Sequence, residues 1–186
     1  MKIGITGHTS GIGKYMFDKH GSKGWSTSTG FDLTDPKARQ EMINDAEDID
    51  VFINNADDGN NMKLDVMKDI WSAWRTKPKI LVNLGSYRTF QAKVQAVTKK
   101  DVHKFTEECK VNDEQYNFYD EISPLQSELA VGLIQLGPVG TEYTISKGLD
   151  KYITVEDASD IVFTTVKHLQ SNHRMFIQIM CKGYHK

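Results

Sequence analysis

A chain of 186 residues, 39% hydrophobic and 26% charged, is sized and composed for one globular domain, so 1–186 is expected to fold as a single unit. A formal charge of −2, with cations mixed among acids, offers no basic stripe for the phosphates of DNA or RNA, and nucleic acid is not an expected partner. No apolar run approaches the roughly 20 residues of a bilayer span. The chain opens on a strand-like run rather than a charged and then apolar leader, so a cytoplasmic location without membrane contact is expected. Cys109 and Cys181 stand far apart and outside any metal-like cluster. They are expected as reduced thiols, and no metal site is expected.

Short β-rich runs alternate with longer amphipathic stretches, the pattern of βαβ units wound into a parallel sheet. Lys2–Thr6 reads as the first strand and Gly11–His20 as a helix that follows a glycine-rich turn. Trp25–Thr29 reads as the second strand. The next helix, Asp35–Ala46, opens on Asp35-Pro36, an acid at the cap and a proline at the first helical position. Val51–Asn54 and Ile80–Leu84 read as strands, with helices at Lys63–Trp74 and Gln91–Cys109. Lys110–Glu128, with Asn112-Asp113, Pro124 and several aromatics, reads as irregular loop with room for one short helix. A strand at Ala130–Leu136, a helix at Val155–Gln170 and a strand at Phe176–Met180 complete the chain. Thr154 and Asp157 are placed to form a capping box for that last helix.

The first strand-to-helix junction carries the most specific signal, Ile3-Gly4-Ile5-Thr6-Gly7-His8-Thr9-Ser10-Gly11-Ile12-Gly13. Gly7 permits a tight turn, Gly11 lets backbone N–H groups approach a pyrophosphate, and Gly13 lets the helix pack closely on the strand. The free amides and dipole of the helix start attract the anion, with Thr9, Ser10 and Ile12 in the same turn. The expected fold is therefore a three-layer α/β/α sandwich around a mostly parallel, doubly wound Rossmann sheet. Its expected strand order is 3-2-1-4-5-6 plus a final strand.

Thr-Gly-x-x-x-Gly-Ile-Gly at Thr6–Gly13 resembles the glycine element of the short-chain dehydrogenase/reductase family. Further matches follow in order. Asp32-Leu33-Thr34-Asp35 looks like the family's Asp-x-x-Asp element beside the adenine. Asn54-Asn55-Ala56 looks like its Asn-Asn-Ala-Gly motif, with Asp57 in the last place. Val82-Asn83-Leu84-Gly85-Ser86 resembles the strand that ends on the catalytic serine. Pro138-Val139-Gly140-Thr141 is a looser copy of the Pro-Gly segment and following threonine that hold the nicotinamide carboxamide. Taken singly, Asn54-Asn55-Ala56 also fits a strand-ending turn, Asp32 a neighbour of the Asp35 cap, and Pro138–Thr141 a plain loop.

The resemblance implies a tyrosine acid, a lysine four positions later that lowers its pKa and binds ribose, and a serine that orients the carbonyl. Tyr143 and Lys147 have that spacing but follow the Pro138 segment, whereas the family's pair precedes it. Tyr15 and Lys19 show the same spacing on the first helix. The helix in the corresponding place reads Gln95-Ala96-Val97-Thr98-Lys99, which puts Gln95 where the tyrosine belongs and retains Lys99 for ribose. An amide has no proton to give near neutral pH, so Gln95 removes general acid–base work of the usual kind. Tyr87, directly after Ser86, is the substitute acid that the sequence offers; the alternative is a packing tyrosine with a wet hydroxyl. Asn60 and Asn61 are candidates for the asparagine that the family carries before the serine strand.

The expected cofactor-binding set is thus Gly7, Thr9, Ser10, Gly11, Ile12, Gly13, Thr29, Asp32, Leu33, Asn54, Asn55, Ala56, Lys99, Pro138, Val139 and Thr141, and the expected catalytic set is Ser86, Tyr87, Gln95 and Lys99. Ser26-Thr27-Ser28-Thr29-Gly30 ends the second strand without an acid for a ribose 2′-hydroxyl, which favours NADP over NAD. Two readings stay open: an NAD(P)-dependent oxidoreductase acting on a small carbonyl or alcohol, and a nicotinamide-nucleotide-binding protein without catalysis. A homodimer through helices Lys63–Trp74 and Gln91–Cys109 is implied by the resemblance. Trp71, Trp74 and Val94 would then be either interface or core.

Overall fold

The computed structural model describes residues 1–57, 61–86, 106–146, 148, 152–171 and 176–181. Its apolar runs become six strands: β1 (Ile3–Thr6), β2 (Lys23–Trp25), β3 (Val51–Asn54), β4 (Ile80–Ser86), β5 (Ala130–Leu136) and β6 (Phe176–Cys181). All pairings are parallel, in the order β2-β1-β3-β4-β5-β6. Every residue of β1, β3 and β5 is buried. A parallel strand can be apolar on both sides only where both faces of the sheet are covered. Helices α1 (Gly11–His20) and α6 (Val155–Ser171) cover one face, while α2 (Pro36–Asp45), α3 (Met62–Trp74) and α4 (Thr106–Ile122) cover the other; α5 (Glu142–Ser146) follows β5 as a short turn of helix. The fold is the three-layer α/β/α sandwich that the alternation of elements predicts.

The two faces differ in content. Under α1 and α6 lie Ile5, Ile53, Val82 and Ile134, packed on Met16, Val162, Val166 and Leu169. Under α2, α3 and α4 the sheet presents Trp25, Phe52, Leu81 and Leu133. Trp25 stacks on Phe52 with centroids 5.5 Å apart, and Trp74 meets Phe52 edge-on at 5.9 Å. Trp71 and Trp74 are 6% and 0% exposed within the chain, so they belong to its core.

Three expectations are corrected. The strand order is not 3-2-1-4-5-6, because Val51–Asn54 pairs with β1 (Ile3 opposite Val51) instead of lying outside β2. Its four residues are all buried, and a segment apolar on both faces belongs in the sheet's interior, not at its margin. The second strand runs over Lys23–Trp25 rather than Trp25–Thr29, sharing only Trp25 with the expected segment. Thr27–Thr29 forms a 3-10 turn because the Ser26 amide donates to Thr29 Oγ1 at 3.2 Å while Thr29 Oγ1 donates to Ser26 O at 3.0 Å. Hydroxyls that bond local backbone in this way outcompete a strand's ladder. Finally, residues 110–122 of the segment read as irregular are helical. Gln115, Tyr119 and Ile122 bury one stripe at helical spacing, and the helix stops two residues before Pro124.

The caps form at the expected residues. Asp35 accepts from the Lys37 amide at 2.9 Å ahead of Pro36. Thr154 caps the last helix, its Oγ1 accepting from the Asp157 amide at 2.9 Å, but the other half of the expected box differs: Asp157 Oδ2 accepts from the Thr154 hydroxyl at 2.6 Å, a bond between side chains.

Candidate functional site

From β1 the chain first winds outward to β2 and then crosses to β3 on the other side, so the topological switch point lies between β1 and β3. Open α/β sheets bind ligands outside the carboxyl ends of the strands at that point. A cleft of about 480 Å³ opens there.

Its floor is the glycine turn. Gly7 and Gly11 adopt left-handed φ values of 67° and 53°, which a side chain would strain, and the Gly7 amide donates to Trp25 O at 2.8 Å. A Cβ on Gly13 would overlap the carbonyl oxygen of Gly7 and the Asn55 amide, so α1 can sit this close to the turn only with glycine there. Ser10, at the N-cap of α1, makes no side-chain cap bond, and the first turn holds no acid. The unpaired amide groups and the positive end of the helix dipole suit an anion such as a pyrophosphate.

One wall is the loop after β3. Thr6 Oγ1 accepts from the amides of Asn55 and Ala56 at 2.9 Å each, and Asn55 Nδ2 donates to Thr6 O at 3.0 Å, which fastens the loop to the end of β1. Asn54 points into the fold. Thr6 Oγ1 donates to its Oδ1 at 3.3 Å, and its Nδ2 donates to Lys63 O at 2.8 Å and to Asn83 Oδ1 at 2.6 Å. Asn83 Nδ2 then donates to Gln115 Oε1 at 3.1 Å, so a buried chain of amides links β1, β3, β4 and α4 beneath the cleft. Gln135, on β5 opposite Gly85, has an Oε1 with no hydrogen-bond partner among the described residues.

The opposite wall is rich in hydroxyls. Ser28 donates to Thr9 Oγ1 at 3.1 Å, Ser26 and Ser28 share a hydrogen at 2.9 Å, and Thr9 donates to Ser26 Oγ at 3.4 Å. Beyond them Asp32 Oδ1 accepts from the Thr34 hydroxyl at 2.7 Å and the Thr34 amide at 3.1 Å. These bonds, the hydroxyl first, hold its carboxyl below the usual value. Arg39 stands buried behind this turn, donating to Leu33 O and Thr34 O and, through Nε, to Asp69 at 2.7 Å.

Of the expected cofactor set, the cleft brings together Gly7, Thr9, Ser10, Gly11, Ile12, Asp32, Leu33, Asn55, Ala56 and Thr141. Thr141 reaches the rim because Val139 forms a parallel bridge with Ile153, which carries the segment back until Thr141 packs over Gly11. Gly13, Thr29, Asn54, Pro138 and Val139 are outside the lining. Ser86 ends β4, paired with Leu136. Tyr87, Gln95 and Lys99 lie outside the described residues, as do Asn60 and Val94. Asn61 is the N-cap of α3 and makes no cap bond. Ser26, Thr27, Ser28, Phe31, Thr34, Asp57 and Met62 line the cleft as well, outside the expected cofactor-binding set. For the first three the signal was present: a Ser/Thr run after a tryptophan reads as a turn once side-chain to backbone bonding is weighed above β-propensity.

The chain matches no protein-family model and no curated protein. Among solved structures it is similar to a short-chain dehydrogenase from Burkholderia cenocepacia J2315 in complex with NADP, at 15% identity and a TM-score of 0.67 over 95% of this chain and 89% of that one. It is also similar to the 3-alpha-hydroxysteroid dehydrogenase of Pseudomonas sp. B-0831 complexed with NADH, at 16% identity and 0.66 over 98% and 96%. An apo SCOR enzyme from Clostridium thermocellum gives 17% identity and 0.66 over 96% and 90%. The fold is that of the short-chain dehydrogenases/reductases. At these identities the likeness is one of fold, and this chain builds it with β2 as the outermost strand beside β1.

Proposed function

We propose that the chain is a compact short-chain dehydrogenase/reductase, one domain acting in the cytoplasm as a homodimer, which binds a nicotinamide dinucleotide and works on a small carbonyl or alcohol. The observation that carries this reading is the cleft at the β1/β3 switch point, floored by left-handed Gly7 and Gly11 and by the open start of α1. The turn would hold the pyrophosphate. Thr9, Ser26 and Ser28 meet the adenosine ribose at the end of β2, and hydroxyls in that place, where an NAD site offers a carboxylate, favour NADP. Asp32 and Leu33 flank the adenine, while Asn55, Ala56 and Thr141 continue towards the nicotinamide half. Two similar folds were solved with NADP and NADH.

The dinucleotide, when bound, supplies or accepts a hydride. On this reading Ser86, at the end of β4, orients the substrate oxygen, Lys99 holds a ribose, and Tyr87 or a water relay moves the proton. Gln95 favours a second reading, a nucleotide-binding protein that lost its acid and does not turn over, because a carboxamide cannot take the place of a phenol in proton transfer.

Titration with NADPH, read by its fluorescence and by thermal stabilisation, tests the binding claim. Saturation below millimolar cofactor is expected, and no response at that concentration overturns it. Turnover of small aldehydes and ketones that disappears in Ser86→Ala supports the enzyme. Hydride transfer that arises only in Gln95→Tyr supports the binder.

A further inference from the structure

The cleft is lined by two carboxylates, Asp32 and Asp57, and among its described lining residues there is no lysine or arginine. An anionic dinucleotide would meet net repulsion there unless those charges are answered from behind. For Asp57 the answer is Lys63 on the first turn of α3. Its side chain is 6% exposed, and its ammonium donates to Asp57 Oδ2 at 3.1 Å and to Leu84 O, near the end of β4, at 2.8 Å. The backbone carbonyl of Lys63 accepts in turn from Asn54. A buried lysine is costly unless paired, and this one ties a carboxylate that is 55% exposed to the strand that leads into Ser86.

We propose that Asp57 binds the second ribose of the dinucleotide, the one on the nicotinamide side, and that Lys63 is the positioning residue that holds its carboxylate and cancels its charge against the pyrophosphate. This rests on the dinucleotide reading above. The direction follows from the cleft itself. The adenosine ribose belongs at the end of β2 and the pyrophosphate at Gly7–Gly11, so the rest of the molecule passes the end of β3 towards β4. Asp57 stands on that path, and a carboxylate accepting from ribose hydroxyls is a charge-assisted bond suited to it. The glycine of the family's Asn-Asn-Ala-Gly element has no side chain to do this.

The test compares ADP-ribose, which carries the second ribose, with ADP, which lacks it, by calorimetry on the intact chain. Asp57→Asn is expected to weaken ADP-ribose about tenfold and to leave ADP within twofold. Lys63→Met, which leaves the carboxylate uncompensated, is expected to weaken ADP-ribose at least as much, and Lys63→Arg to restore most of the loss. The double variant Lys63→Met with Asp57→Asn should bind no worse than Asp57→Asn alone. Equal losses for both ligands in Asp57→Asn, or no loss for either, overturn the proposal while wild-type binding leaves the dinucleotide reading standing. Failure of the wild-type chain to bind either ligand overturns both. Should Lys63→Met not fold, Asp57→Asn decides by itself.

Discussion

The two faces of the sheet solve different problems. Beneath α1 and α6 the buried apolar side chains are non-aromatic, among them Ile5, Ile53, Val82, Ile134, Val162 and Val166, and they stabilise through buried area without fixing direction. Beneath α2, α3 and α4 large aromatics share the space with Asn54, Lys63, Asn83, Gln115 and Arg39, and most of their polar atoms have named partners. Directional bonds are expensive to bury and costly to break, so they sit where position matters more than stability. They hold the loop after β3 and the turn at Leu33–Thr34, which border the cleft, and the end of β4, which leads into Ser86. The dry face stabilises the sheet, and the polar face aims its ends.

This contrast can be broken by substitution. On the dry face Ile5→Ala removes a fully buried side chain from a central strand, and urea unfolding should show a loss of about 2–5 kcal/mol. Nucleotide affinity of the folded fraction should stay unchanged; a fall in that affinity would show that the dry face also positions the site. Gly13→Ala forces a methyl into the Gly7 carbonyl, with an expected cost of about 1–3 kcal/mol and loss of NADPH saturation in fluorescence titration.

On the polar face Asn83→Leu leaves Asn54 Nδ2 one acceptor short and Gln115 Oε1 without its donor. The expected cost in urea is smaller, about 1–2 kcal/mol. Amide exchange should rise at Asn55 and Ala56, and stability loss without that local change would mean the chain of amides does not hold the loop. The smallest effect lies at the rim far from the cleft. Lys2 and then Lys23 hold the Asp48 carboxyl at about 2, below its ordinary 3.8. A depressed carboxyl stabilises the fold above its unfolded value and loses that contribution as pH falls through about 2. The Tm gap between wild type and Asp48→Asn should therefore be small and constant near neutrality and close between about pH 4 and pH 2.

Much of this architecture was legible because β1, β3, β4 and β5 are continuous apolar runs separated by cap and turn residues, and because the glycine turn is spaced for one kind of junction. Sequence reading failed where polar atoms carry the structure. α4 was hidden because Gln115 occupies a core position of its stripe, and a glutamine counts against a helix's apolar face until its partner Asn83 is known. The second strand lies earlier than its Ser/Thr run suggests, because threonine favours strands in general and turns where its hydroxyl finds a backbone group. Lys63 was invisible for a related reason: periodicity assigns a lysine to solvent, and only the fold shows that its ammonium reaches Asp57 and Leu84 O. The strand order could not be read from the elements in sequence, since pairing is decided between segments that compete for the same place beside β1.

The three-residue β2 bears on how much of such a domain is dispensable. Among the described residues no strand lies outside it in the sheet, and it meets the end of α2 through Asp45, which takes the Trp25 indole N–H at 2.9 Å and the Lys23 ammonium at 2.9 Å. The crevice between β1 and β3 forms with only this short strand beside β1. The cleft is a property of where the winding reverses, so a doubly wound sheet can be trimmed from its flank inward until the cut reaches the strands that border that reversal.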